Sequence, residues 1–364
     1  MLEIDEKIER LARLATAQGL GGILLNTQPN FAWLTGGRSN RIDGSRENGS
    51  GALLVHADGR RVIIANRIEM PRLLAEEVHE GAWEPIEYTW TVEHARPDTI
   101  ARLAADGADA RGTLAADLPL AGAELVDRPL ARLRAPLVDT EVQRYRLLGA
   151  DAGRALGDLC RSLRPGSTEI SVARSISDAA MSIGGRCIVT LVAADDRIAR
   201  FRHPVPTRLE WQRTLMVAAC IQRDGLVVAL SRLICAGEPP ADLISRTQAT
   251  AQVFRALLDA TRTGVTGREL FAVATRTYER AGFAGEEARH HQGGATGYRS
   301  REWLAHPHSE EQVQTPQAFA WNPSITGTKV EDTALLTAGG IETITGSPRW
   351  PLLEGCASGL LRVD

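Results

Sequence analysis

The chain is short of the features that would make it secreted, membrane-bound or nucleic-acid-binding. Its five cysteines (Cys160, Cys187, Cys220, Cys235, Cys356) are odd in number and scattered, with no Cys-x-x-Cys pair. That spacing fits a reducing compartment better than a disulfide framework or a zinc site. No apolar run reaches the roughly 20 residues of a membrane helix. The first residues, Met1-Leu2-Glu3-Ile4-Asp5-Glu6-Lys7, carry acids and no apolar core, which is not the pattern of a secretion signal. A cytoplasmic location is expected. A formal net charge of -3 gives nucleic acid no electrostatic reason to bind, so neither nucleic acid nor membrane is expected as a partner. What remains is ordinary: 43% hydrophobic and 24% charged residues describe a globular protein. The length, 364 residues, is long for one core and comfortable for two domains.

The first part alternates strands and helices. Ile4, Ile8, Leu11, Leu14 and Ala15 recur at helical spacing. Ile23-Leu24-Leu25 reads as a buried strand, and Asp58-Gly59 as the turn of a hairpin joining Gly51–Val55 to Arg61–Ala65. A helix over 68–78, a strand over 84–90, a helix over 98–106, a strand over 112–116 and a helix over 122–133 continue an α/β layer. Between them, Arg38, Arg41 and Arg46 crowd a glycine-rich loop. The plain reading is a solvated loop. Ala135-Pro136-Leu137-Val138-Asp139-Thr140 reads as the boundary, with Asp139 or Thr140 capping the next helix. The expected domains are 1–137 and 138–364.

The second part carries the chemistry. His290-His291 runs into Gln292-Gly293-Gly294, and glycines there permit a tight turn and close approach of a ligand. Later come Asn322-Pro323-Ser324 and Lys329-Val330-Glu331-Asp332-Thr333. A glutamate inside the apolar run 328–336 is costly unless paired, ligated or catalytic. Lys329, two residues earlier on a strand, shares its face. His203 stands before Pro204 in a charge-rich stretch with turn residues, and an imidazole titrates in the range that suits proton transfer.

These motifs resemble the pita-bread family of aminopeptidase P, prolidase, creatinase and methionine aminopeptidase. The family's His-Gly-x-Gly, Glu-Pro-Gly and Glu-Asp-Thr segments correspond to His291–Gly294, Asn322–Ser324 and Glu331–Thr333. Asn30–Gly37 resembles its "n..YLtG" segment, and 187–232 its strand, histidine and hairpin order. The resemblance implies a creatinase-like N-terminal α/β domain followed by a C-terminal pita-bread domain, an α/β (α+β) protein working as a homodimer. It also implies that the N-terminal loop reaches over the partner's site, where Arg38, Arg41 and Arg46 would clamp a carboxylate.

The family's dinuclear metal site uses two Asp, one His and two Glu. The corresponding residues here are Ala218, Ala229, His291, Asn322 and Glu331. Hard divalent ions bind chiefly through anionic oxygen, so no metal and no other cofactor is expected. Creatinase, in the same family, hydrolyses a C–N bond without metal. The resemblance therefore implies a metal-independent hydrolase of a small amino-acid-like, amide or amidine substrate bearing a carboxylate. His203, His291 and Glu331 are its catalytic set. Substrate contacts are assigned to Arg202, Arg232, His290, Trp303, His306, Asn322 and Lys329. A lyase on the same groups stays open. So do a non-catalytic peptide-binding module, like the pita-bread domain of histone chaperones, and a true Xaa-Pro metallopeptidase whose ligands lie elsewhere.

Overall fold

A computed structural model describes residues 3–78, 81–107 and 112–363. The chain divides into two compact units, Met1–Arg134 and Ala135–Asp364. The division falls three residues before the expected 137/138. Leu137 already belongs to the second unit, because its N–H donates to the Pro316 carbonyl at 2.9 Å.

The first unit opens on the helix Glu3–Gln18, which buries Ile8, Leu11 and Ala15 along one stripe. Its sheet is mixed. Strands β1 (Leu20–Thr27), β2 (Asn48–His56), β3 (Arg61–Asn66), β4 (Glu84–Tyr88), β5 (Thr113–Ala116) and β6 (Ala123–Leu125) lie in the order β4-β3-β2-β1-β5-β6. Leu24, Leu54, Val62 and Ile64 fill the core on one face. Three expectations need correction. The span 68–78 holds only a short helix, Met70–Arg72, followed by a wider turn over Leu73–Glu77. Trp90 leaves the strand to start the helix Trp90–Ala95. The span 122–133 begins with β6, and its helix starts only at Asp127. Gly122 sits at φ +77°, outside the right-handed helical region, so it belongs to the turn before β6 and not to the helix.

The second unit starts with the helix Asp139–Ser162. Neither Asp139 nor Thr140 caps it; Glu141 turns back to accept the Val138 N–H at 2.8 Å. The hairpin strands β8 (Thr214–Arg223) and β9 (Leu226–Ala236) follow β7 (Arg186–Ala194), and the strand Leu360–Val363 completes that sheet beside β9. The second sheet holds β10 (Gly293–Thr296), β11 (Trp303–Leu304), β12 (Gln317–Trp321), then, after the small β13 (Ser324–Ile325) and β14 (Thr328–Lys329) pair, β15 (Asp332–Thr337) and β16 (Gly340–Thr343). The helices Ala241–Ala260 and Gly267–Arg280 pack Phe254, Leu257 and Tyr278 against Phe319 and Trp321.

The two sheets of this unit meet at one seam. The Ser231 N–H donates to the Glu331 carbonyl at 2.9 Å. Two residues away on each side, the Thr333 hydroxyl both donates to the Ala229 carbonyl and accepts the Ala229 N–H. Side chains on extended backbone alternate faces. The seam therefore sends Ser231 and Glu331 to one side, and Arg232 and Asp332 to the other.

Candidate active site

Glu331 is the anchor of the first side. It is 3% exposed, and both of its oxygens are taken. Oε1 accepts from Arg301 Nη2 at 3.1 Å; Oε2 accepts from Lys329 Nζ at 2.9 Å and from the Ser231 hydroxyl at 2.5 Å. Burial alone would raise its pKa, but the charges of Lys329 and Arg301 and the Ser231 hydroxyl outweigh burial and hold it down at about 2. Lys329 is one of only two lysines in the chain, and it is 7% exposed.

Three histidines gather beside this ion cluster. His203 Nε2 lies 3.1 Å from His290 Nε2. The rings of His290 and His291 stack at 4.4 Å, and His203 lies 5.0 Å from the first and 5.9 Å from the second. Burial lowers all three pKa values, and the Lys329 charge adds to it. His290 falls to about 2 and His291, which also feels Arg301, to about 4. At neutral pH the rings are uncharged acceptors beside two fixed cations and one fixed anion. Four buried polar atoms here have no hydrogen-bond partner among the described residues: His290 Nδ1, His291 Nδ1, Arg301 Nε and Asn322 Oδ1. Asn322 follows the end of β12, and its N–H donates to the carbonyl of Gln292, the residue after His291, at 3.0 Å. Native interiors leave few such atoms unpaired, so this set points to a ligand with both hydrogen-bond donors and acceptors.

The glycines after His291 serve the neighbouring strands, not a ligand. Gly293 has φ +101°, and a Cβ on it would lie 2.0 Å from the Ala320 carbonyl oxygen. One on Gly294 would lie 2.1 Å from that of Trp303. The expectation that these glycines open the backbone to substrate is corrected accordingly.

Several expected substrate contacts are engaged elsewhere. Arg232 is 1% exposed on the opposite side of the seam, paired with Asp332 at 3.1 Å and bonded to Ser347 Oγ and the Thr345 carbonyl. Strand alternation put it there, next to Ser231 but facing away. Arg202 is bound by Glu286 and donates to Ser324 Oγ and Thr326 Oγ1, so its charge braces a loop. Trp303 pairs with Ala295 in the sheet and packs edge-on against Phe319 at 5.9 Å as part of the core. His306 is exposed and accepts the His308 N–H through Nδ1. Arg38 and Arg41 belong to the first unit. Arg38 lines a cavity of about 870 Å³ there with Thr35, Glu77 and Trp83, and the Arg41 N–H donates to Ser39 Oγ.

Two residues escaped the sequence reading. Ser231 was detectable, since it lies two residues from Ala229 on β9 and so faces the same way. Arg301 was not, because it sits in an irregular stretch with no periodicity to aim it.

The residues expected to correspond to the family's metal ligands do not fit a dinuclear centre. Ala218 and Ala229 are buried and offer no donor, Asn322 offers a neutral amide, and Glu331 is already saturated by two cations and a hydroxyl. A hard cation pair there would face Lys329 and Arg301 with a single carboxylate to share.

Comparison with known proteins gives this geometry a lineage. Residues 7–141 match the Creatinase/Prolidase N-terminal domain, and residues 143–338 match Metallopeptidase family M24. A protein of Mycobacterium bovis named probable dipeptidase PepE is 25% identical over 360 residues, 93% of each chain. The fold is that of the crystal structure of dipeptidase PepE from Mycobacterium ulcerans (TM-score 0.79, 20% identity, 99% of this chain and 98% of that one). It is also that of a prolidase from Thermococcus sibiricus (TM-score 0.80, 16% identity, 96% and 98%). With more than half its length matched, and a creatinase/prolidase N-terminal domain ahead of a pita-bread domain, the chain belongs to metallopeptidase family M24.

Proposed function

We propose that this chain is a hydrolase that cleaves the C–N bond of a small, carboxylate-bearing, peptide-like substrate without the dinuclear metal centre of its family. The observation that carries the proposal is the occupancy of Glu331, held by Lys329 and Arg301 where metal ions would need it free. The dipeptidase names of its relatives support an amide bond of a short peptide or amino-acid derivative as the target. A cytoplasmic homodimer remains our expectation.

Each group then has one task. The uncharged His203 or His291 takes a proton from water as the water oxygen attacks the carbonyl carbon. The imidazolium returns that proton to the leaving nitrogen as the C–N bond breaks. His290, bonded to His203 through Nε2, orients that ring. Arg301, with its unpaired Nε, and Lys329 hold the substrate carboxylate or the developing oxyanion. Asn322 Oδ1 accepts from a substrate N–H. Glu331 is too acidic to shuttle protons near neutral pH. Its part is to hold the two cations in place, which revises the catalytic role expected of it.

Kinetics on paired substrates test the reading. Dipeptides and N-acyl amino acids with a free carboxylate should turn over in excess chelator, and their C-terminal amides should lose about 10²-fold or more in kcat/KM, the scale of a lost charged hydrogen bond. Equal rates for acid and amide, or no turnover of either without added divalent metal, would sink it.

A further inference from the structure

The three histidines also form a set of donors that the hydrolytic reading does not exhaust. One nitrogen from each of His203, His290 and His291 lies within 4.8 Å of the others. The closest pair, the Nε2 atoms of His203 and His290, stands at 3.1 Å. Two imidazoles on one tetrahedral ion, with metal–nitrogen bonds near 2.0–2.1 Å, sit about 3.3 Å apart. One edge of such a site is therefore already built. The widest separation must close by at most about 1.5 Å. His203 is exposed and lies outside regular structure, so its ring is free to make that move. His290 Nδ1 and His291 Nδ1 are buried without partners, so these rings are not committed to other hydrogen bonds through those atoms.

The donor chemistry differs from that of the family's metal pair. Three imidazoles and no available carboxylate suit a single borderline ion of the zinc or copper class, not the hard ions that oxygen ligands select. We propose that His203, His290 and His291 bind one such ion, Zn²⁺ being the representative, and that its binding inhibits the enzyme. The inhibitory half rests on the hydrolytic reading above, because the ion takes the ring lone pairs that proton transfer needs. Metal would thus act at this site in the opposite sense from the dinuclear centre of the family's metallopeptidases.

The surrounding charge sets the strength. Lys329 and Arg301 repel a cation and Glu331 offsets one of them. The site should be weaker than a closed structural zinc centre and reversible by chelator. An anion, either hydroxide or the substrate carboxylate, completes the fourth position.

The test is zinc titration of metal-free full-length protein against a chromogenic chelator, with Co²⁺ as a spectroscopic substitute and turnover followed in parallel. One equivalent of zinc should bind, and Co²⁺ should give the strong visible bands of a tetrahedral site. His203→Ala and His290→Ala should each weaken zinc by about 100-fold or more, beyond the loss of an outer hydrogen bond. His203 is exposed, so its variant reports binding even if the His290 change disturbs folding. Lys329→Gln should tighten zinc by about tenfold, since it removes one charge that repels a cation at these histidines. Absence of binding, or binding that both histidine variants leave unchanged, overturns the site. Zinc that binds here without slowing turnover overturns the inhibitory half. Zinc that raises turnover overturns that half and the metal-free hydrolase together. If no substrate turns over at all, the hydrolytic reading fails, while the titration and the Co²⁺ spectrum still decide the site.

Discussion

Two ion clusters stand back to back across one seam of the second unit, and they differ in completeness. On the far side, Asp332 takes Arg232, the Thr345 hydroxyl and the Ser358 hydroxyl, while Arg232 also bonds Ser347 and the Thr345 carbonyl and lies over Trp350. On the near side, Glu331 takes Lys329, Arg301 and Ser231, but His290 Nδ1, His291 Nδ1 and Arg301 Nε beside it stay unpaired among the described residues. The chain places Glu331 and Asp332 next to each other, so composition does not separate them; only the alternation of extended backbone does. Burial raises the Asp332 carboxyl against a single arginine, whereas two cations depress Glu331. A finished network belongs to the scaffold. An unfinished one beside three uncharged histidines belongs to a site.

That contrast can be tested in order of effect. Asp332→Ala strands Arg232 inside the protein and should cost about 3–5 kcal/mol of stability, read by denaturant unfolding. A loss under about 1 kcal/mol would deny the scaffold role. His203→Ala should do the reverse. It should cut kcat by about 10²–10⁴-fold, the usual worth of a proton-transfer group, while unfolding shifts by no more than about 0.5 kcal/mol. If His291→Ala alone does so, that ring is the base and His203 is not. Glu331→Gln should fall between, losing about 1–3 kcal/mol and raising KM as Lys329 and Arg301 lose their counter-charge.

Acid titration separates the two clusters further. The His290 and His291 pKa values lie below the ordinary 6.5 in the folded chain, so unfolded protein binds the extra protons. Their contribution to stability is complete above about pH 6.5 and is lost as pH falls through about 4 for His291 and about 2 for His290. Glu331, depressed from 4.5 to about 2, adds a loss below about pH 4.5. Stability should fall with a slope of about 1.4 kcal/mol per pH unit for each group that titrates only in the unfolded chain. Activity should show no acid limb near pH 6.5. A kcat/KM profile that drops around 6.5 would mean the base titrates like an ordinary histidine, against the lowering that desolvation and the Lys329 charge impose on this cluster. Arg301→Lys is the mildest change. It keeps the charge, loses the planar fork, and should raise KM several-fold with kcat nearly intact.

Much of this was legible in the sequence, and the misses follow a pattern. The opening helix was readable from its apolar periodicity, the β2–β3 hairpin from the Asp58-Gly59 turn, and the order of β7, β8 and β9 from the motif resemblance over 187–232. The His203, His291 and Glu331 positions were legible through motif order. The errors at Arg232, Arg202 and Trp303 arose because a residue's neighbourhood in sequence says which segment it occupies but not which face it takes or which partner claims it. Arg232 lies one residue from Ser231 and on the other side of the seam. Arg301 could be found only once the fold brought an irregular loop to Glu331.

The most direct test of the central claim is turnover of a carboxylate-bearing C–N substrate by wild-type protein in excess chelator, beside the same protein replenished with Mn²⁺ or Co²⁺, with bound metal measured in both. The account predicts turnover without metal, no gain on replenishment, and no tightly bound pair of ions. Two ions per chain, with activity that dies on chelation and returns with them, would contradict it and return this chain to the chemistry of its relatives.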